Sequence, residues 1–434
     1  MRPLLCLSHA LHCRNWLASG MLDKMARSGL TGAVAMPTAL AVHCQAMIPT
    51  GWDLLPLEHW WSTRAQAKIR EALRLGMLAE GARRGGKNYQ MKVRAKRRLL
   101  PAGQMLGWRA LAALADPLPL IRGIERALPA PRQDFPAGCT HLLLPTLIHE
   151  DEAQAGLVKA ARRAGAPVWA IPASWDTLMT KGRFLDQPDR IAVWGQASAH
   201  HAVCDHAFPP AGVTITGPPH FYPYQAGYQT PKFVVGSSRY VLFAGTTVNY
   251  APDEVAIVAG LARALADGPD TRDVRIVYRP HPRALTADIA PLAAAAGVVM
   301  DPRWRGNWSL SPADIPYIKM LAQGALCTVS AFSTVALESA FCSTPSVLIG
   351  FGSSAHGAGK ALDHANYEHM AEIAGKPGIR VESTMAGLLE RIRAIASGRW
   401  PSPDERRALR HWALQIAAVD LDPRDAILAW LQQA

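Results

Sequence analysis

Short apolar runs alternate with longer stretches of helical period along the 434 residues. Leu4–Leu7, Val34–Met36, His141–Leu144, Val168–Ile171, Ile191–Val193 and Val213–Thr216 read as strands, with helices over roughly 16–27 and 152–164. From 223 to 238 the chain is rich in Tyr, Gly, Pro and Ser and shows no period, which reads as a linker. The plan then restarts. Tyr240–Ala244, Val274–Tyr278, Ala325–Ser330 and Ser346–Ile349 read as strands, with helices near 253–266, 286–296 and 333–341 and two more over 404–418 and 424–433. Strands joined by crossover helices form parallel sheets. The expectation is an α/β protein of two Rossmann-like doubly wound domains facing a cleft. These would be residues 1–222 and 239–400, with the helices of 401–434 packing back on the first. Ligands of such sheets bind outside the carboxyl ends of the strands, so chemistry is sought there.

Two uncharged stretches are long enough to raise the question of a membrane span. Residues 28–52 are interrupted by Pro37, Pro49, His43 and Gln45 and read as a buried strand, a turn and a second strand. Residues 320–337 read as a buried strand and a helix start.

Hydrophobic residues make up 49% of the chain, which excludes a mainly disordered protein. The seven cysteines form no CxxC pair, and their odd number argues for a reducing compartment. The N-terminal apolar run is too short for a signal peptide, so a cytoplasmic location is expected. The net charge of +12 is not spread evenly: residues 64–98 hold twelve basic side chains against two acidic ones. This basic insertion is read as helical around Gly85–Gly86, and its Arg94, Arg97 and Arg98 suggest an anionic partner. Tyr89 is its only aromatic residue, which disfavours base stacking on nucleic acid and favours the inner membrane face or a charged acceptor.

The sharpest local pattern is Arg279-Pro280-His281-Pro282 at a strand end. Prolines immobilise the turn; Arg279 offers planar donors for phosphate, and His281 can donate a hydrogen bond or protonate a leaving group. A second set, Thr328-Val-Ser330-Ala-Phe-Ser333-Thr334, places hydroxyls where a strand hands over to a helix, with Glu338 one turn on to accept from sugar hydroxyls. A third, Gly245-Thr246-Thr247, is a small-residue loop whose amides can approach a phosphate. Neither a G-x-G-x-x-G fingerprint nor a P-loop motif accompanies it.

In the first half, Asp176 lies beside Trp175 and near Lys181, where it could act as a base or simply cap the next turn. His149 and Glu150 form an alternative acid–base cluster or a favourable helix start, and Asn15 sits in the first loop. No His, Cys or Asp set has metal-ligand spacing, so no metal is expected.

Together these motifs resemble a GT-B fold glycosyltransferase. The nearer resemblance is to the CDP-glycerol glycerophosphotransferase and bacterial capsule or surface-polysaccharide group, over most of 140–350. The resemblance implies that Arg279, His281, Ser333 and Thr334 grip a donor nucleotide's phosphates and that Glu338 binds its ribose. Glycerophosphotransferases carry W-H-G-T-P-L-K-x-x-G in the acceptor half. Here Trp175-Asp176-Thr177-Leu178-Met179-Thr180-Lys181-Gly182 has Asp in place of the His, which favours a sugar transferase with a carboxylate base. The implied activity is transfer from a nucleotide-activated sugar, cytidine favoured, to a glycan or lipid-linked acceptor in envelope polysaccharide synthesis, without a cofactor. Polyol-phosphate transfer, nucleotide-sugar 2-epimerisation and non-catalytic anion binding are the alternatives.

Overall fold

The computed structural model describes residues 1–97, 114, 116–145, 152–246, 251–306, 310–352 and 366–433. Two compact units emerge. One comprises Met1–Tyr222 with Ile416–Ala434, the other Pro223–Gln415. The helix Pro403–Ile416 thus ends where the chain returns to the first unit, and the helix Pro423–Leu431 lies within it.

The first unit holds strands β1 (Pro3–Cys6), β2 (Gly32–Met36), β3 (Trp52–Pro56), β4 (His141–Leu144), β5 (Val168–Ala170), β6 (Arg190–Val193) and β7 (Val213–Ile215). They form one sheet in the order β3-β2-β1-β4-β5-β6-β7, every pair parallel. Helices cover both faces of such a sheet, which is why β1 and β2 are unbroken apolar runs rather than alternating ones. The second unit holds β8 (Arg239–Ala244), β9 (Val274–Arg279), β10 (Val298–Met300), β11 (Thr328–Ser330), β12 (Ser346–Ile349) and β13 (Ile379–Glu382). Their order is β10-β9-β8-β11-β12-β13, again all parallel. Strand order reverses between β1 and β4 in one sheet and between β8 and β11 in the other. In sheets of this kind such reversals are where ligands bind, at the carboxyl edge.

The stretch 28–52 departs from expectation. Between β2 and β3 runs a helix, Thr38–Cys44, followed by a tight turn over Gln45–Met47. Its first amide, Thr38, donates to Glu58 at 2.8 Å, a capping carboxylate twenty residues away that no local reading finds. The helix read over 16–27 is broken by Gly20, which takes a left-handed φ of 73° before Met21–Arg27. No helix among the described residues is long and apolar enough to cross a membrane.

The basic insertion forms helices Arg64–Arg83 and Lys87–Arg97. Thr63 and Gln66 build a capping box at the start of the first. Several of its cations are engaged within the fold. Arg70 is buried, with Nε 3.0 Å from both oxygens of Glu125 on the helix Leu118–Ala127. Arg84 pairs with Glu80, and Arg83 donates to the Leu114 carbonyl.

Candidate functional site

The three motifs of the second half meet at one sheet edge. Arg279 is the register partner of Ala244, and Ala244 is the partner of Ser330. The Arg-Pro-His-Pro turn, the Gly245–Thr246 loop and the Ser330–Thr334 segment therefore leave three adjacent strands side by side, at the β8–β11 reversal.

The contact between the first two is backbone-tight. A Cβ on Gly245 would lie 2.9 Å from the His281 amide nitrogen and 3.1 Å from Pro280 Cα, so only glycine lets the strands' exits close up. Gly245 N–H donates to the Arg279 carbonyl at 2.8 Å. Thr246 N–H donates to Glu254 Oε2 at 2.7 Å. Both described amides of this loop are thus engaged inside the protein, which differs from the expectation that they face a phosphate. Thr247 lies outside the described residues.

Glu254 was not foreseen. It opens the helix Glu254–Asp267, is buried, and takes the Tyr278 hydroxyl at 2.6 Å on its other oxygen. Burial pushes its carboxyl up to about 7, against the partial opposition of those two hydrogen bonds. Asp301, just past β10, is the second unforeseen carboxylate. It is buried, pairs with Arg279, and accepts from the Tyr317 hydroxyl at 2.8 Å and from the Arg303 amide at 2.9 Å. Tyr278 and Arg279 are consecutive on a strand and point to opposite faces, so each anchors to its own buried carboxylate. The turn that follows is held from both sides. An acid opening an otherwise apolar helix, and an Asp ending a β-branched run, are the signals that could have marked both.

His281 is half-buried. Its Nδ1 accepts from the Arg283 amide at 3.0 Å, so the neutral ring carries its proton on Nε2. Burial, and then the nearby Arg283, hold its pKa below the ordinary value. At neutral pH it is a hydrogen-bond donor rather than an imidazolium. On the third segment, Ser330 is buried at the end of β11, Ser333 Oγ accepts from the Val335 amide at 3.4 Å, and Thr334 is exposed. The helix proper is Val335–Phe341, two residues later than read. Glu338 accepts from the Tyr224 hydroxyl at 2.7 Å.

In the first unit, Asp176 precedes the helix Thr177–Thr180, and its two oxygens accept from the hydroxyls of Ser174 and of Thr180, the latter at 3.0 Å. Asn15 is buried and donates to the Ala173 carbonyl at 3.4 Å, tying the first loop to this one. The basic insertion meets the same loop. Asn88, Tyr89 and Lys92 donate to the carbonyls of Met179, Leu178 and Thr180, satisfying the short helix's last acceptors. Lys181 and Arg94 are exposed. Arg97 ends its helix; His149, Glu150 and Arg98 lie outside the described residues. At the β1–β4 reversal the chain places Ser8, His12 and Gln154, none of them anticipated: Gln154 donates to Ser8 Oγ at 2.9 Å, and Ser8 meets His12 Nδ1 at 3.4 Å. Among the described residues no group of three or more His, Cys, Asp or Glu side chains could hold a metal ion.

No family model matches this sequence, and no curated protein does. Solved structures match over the whole chain. A candidate UDP-N-acetylglucosamine 2-epimerase from Listeria monocytogenes superposes with a TM-score of 0.54 at 9% identity, covering 100% of this chain and 96% of its own. The kitacinnamycin glycotransferase gives 0.52 at 13% identity, covering 100% and 98%. The UDP-GlcNAc 2-epimerase from Neisseria meningitidis, bound to UDP-GlcNAc, gives 0.52 at 10% identity, covering 100% of both chains. The fold is of the GT-B type. Glycosyltransferases and 2-epimerases share it, and the narrower likeness to CDP-glycerol transferases rests on the sequence motifs.

Proposed function

We propose that this protein is a glycosyltransferase that uses a nucleotide-activated sugar. The observation that carries the reading is the register alignment of Arg279, Ala244 and Ser330, which sets three polar strand exits beside one another at the reversal of the second sheet. The donor's phosphates lie against this edge. Arg279 supplies charge and direction while Asp301 fixes its guanidinium, and His281 donates Nε2–H to a phosphate oxygen. Ser333 and Thr334 add hydroxyls, and Glu338 accepts from the ribose. Asp176, held by Ser174 and Thr180, removes the acceptor's proton. The acceptor is a glycan or lipid-linked saccharide, and the exposed cations of 64–94 favour an anionic membrane face. The UDP-GlcNAc bound by the Neisseria epimerase supports a nucleotide-sugar as the ligand class.

The test is a thermal-shift panel of CMP, CDP, UDP, GDP and ADP, followed by turnover of the matching sugar and of CDP-glycerol, with and without a lipid-linked acceptor. One nucleotide should stabilise the protein by mass action. His281→Ala should weaken that nucleotide by roughly 10- to 100-fold, the cost of one hydrogen bond to a charged group. Donor turnover without acceptor would assign 2-epimerisation instead. If no nucleotide binds, the reading fails.

A further inference from the structure

The first unit contains a cavity of about 630 Å³ that the transferase reading does not use. It lies against the helices Leu118–Ala127 and Glu152–Arg163 and the segment that leads into β6. Helices of a parallel sheet run opposite to its strands, so Lys159 and Arg162, at the helix end, mark the amino edge of the sheet. Asn15 and Asp176 follow strands at the carboxyl edge.

Its charges do not balance. Four cations line it, Arg122, Arg126, Lys159 and Arg162, against Glu125 and Asp186. Glu125 is taken by Arg70, and Asp186 accepts from both Nε and a terminal nitrogen of Arg162. Lys159 is held by backbone carbonyls, including that of Leu128 at 2.8 Å, and also pairs with Glu125 at 3.7 Å. Arg122 has no hydrogen bond or ion pair among the described residues, and its Nε is fully buried. Burial, and then the like charges of Arg183 and Arg126, hold its pKa below the ordinary guanidinium value, with Asp186 and Asp116 opposing in part. Arg122 is part-buried and Arg126 exposed, so both guanidiniums present free donors to the cavity, where an anion gains charge-assisted hydrogen bonds. The volume is that of a small-molecule site, and apart from Gln187 the rest of its wall is apolar, through Leu128, Val158 and Leu185.

We propose that this cavity binds an organic phosphate, its phosphate on Arg122 and Arg126 and its carbon skeleton along Leu128, Val158 and Leu185. The phosphate is that of a soluble sugar phosphate or of a lipid headgroup; both share the recognition chemistry.

The full chain is titrated calorimetrically with glucose 1-phosphate and with dioctanoyl phosphatidic acid, with potassium chloride of matched ionic strength as control. At least one probe should bind saturably. Arg122→Gln should weaken it tenfold or more, and Val158→Trp, which fills the cavity, should abolish it. Both variants should keep the circular dichroism of the parent and the nucleotide-induced thermal shift of the second unit, so this result stands or falls separately from the transferase assignment. Preference for glucose 1-phosphate identifies a soluble metabolite, and preference for the lipid identifies a membrane source. Absence of saturable binding by both probes overturns the proposal, as does unchanged affinity in Arg122→Gln.

Discussion

At the scale of single residues, the least expected side chain is Glu254. Its carboxyl receives two hydrogen bonds and is still raised to about 7, because desolvation outweighs them. The folded state therefore holds a proton between the ordinary 4.5 and about 7 that the unfolded chain has released. Stability from this group is complete below pH 4.5 and is lost as pH rises towards 7, by about 3 kcal/mol at most. Glu254→Gln keeps an acceptor for the Thr246 amide and abolishes the titration. The difference in unfolding free energy between parent and variant should shrink by about 3 kcal/mol from pH 4.5 to 7, the part of the pH dependence that Glu254 supplies. A difference that does not change with pH, followed by chemical denaturation at several pH values, would refute this role. The motif residues around it were legible because proline, histidine and arginine together at a strand end are conspicuous. Glu254 and Asp301 were not, because an acid at a helix start or after a strand looks like an ordinary solvated group until the fold encloses it.

At the scale of elements, the strands of both sheets were largely readable, since a strand buried on two faces must be apolar throughout. The elements that escaped are short or owe their ends to distant partners. The helix Thr38–Cys44 starts on Glu58, and the helix Thr177–Thr180 ends on three donors from Lys87–Arg97. The basic insertion shows the same limit. Counting its charges suggested a surface, yet Arg70 is 1% exposed and joins the helix Arg64–Arg83 to Leu118–Ala127 through Glu125. Truncating Glu125 to Ala leaves that guanidinium buried without its carboxylate. The expected loss is about 3–5 kcal/mol of unfolding free energy, measured by denaturant titration. A loss below about 1 kcal/mol would mean that water or another acceptor replaces it at no penalty.

At the scale of the whole molecule, the largest buried titrations of the two units respond to acid in opposite senses. His12 and His206 of the first unit are buried and held down to about 3 and about 4, and His220 lies well below its ordinary value, all chiefly by desolvation. The unfolded chain takes up those protons below about 6.5 while the folded unit refuses them. Their contribution is therefore intact above pH 6.5 and is lost as pH falls towards 4. Glu254 acts oppositely in the second unit. Differential scanning calorimetry from pH 7.5 to 5 should show the first unit's transition moving down relative to the second's; parallel movement of the two would contradict the assignment. What the linear chain determined by itself was the repeated strand–helix plan, the parallel sheets that follow from it and the three polar motifs at strand ends. These are set by local periodicity and by residues whose chemistry is unusual at short range. Folding alone decided that Arg279, Ala244 and Ser330 stand in register, that the loop amides are spent on the Arg279 carbonyl and Glu254, and that Arg122 lines a cavity with no hydrogen-bonded partner among the described residues. Burial and pairing depend on groups tens to hundreds of residues apart, and no local pattern encodes them.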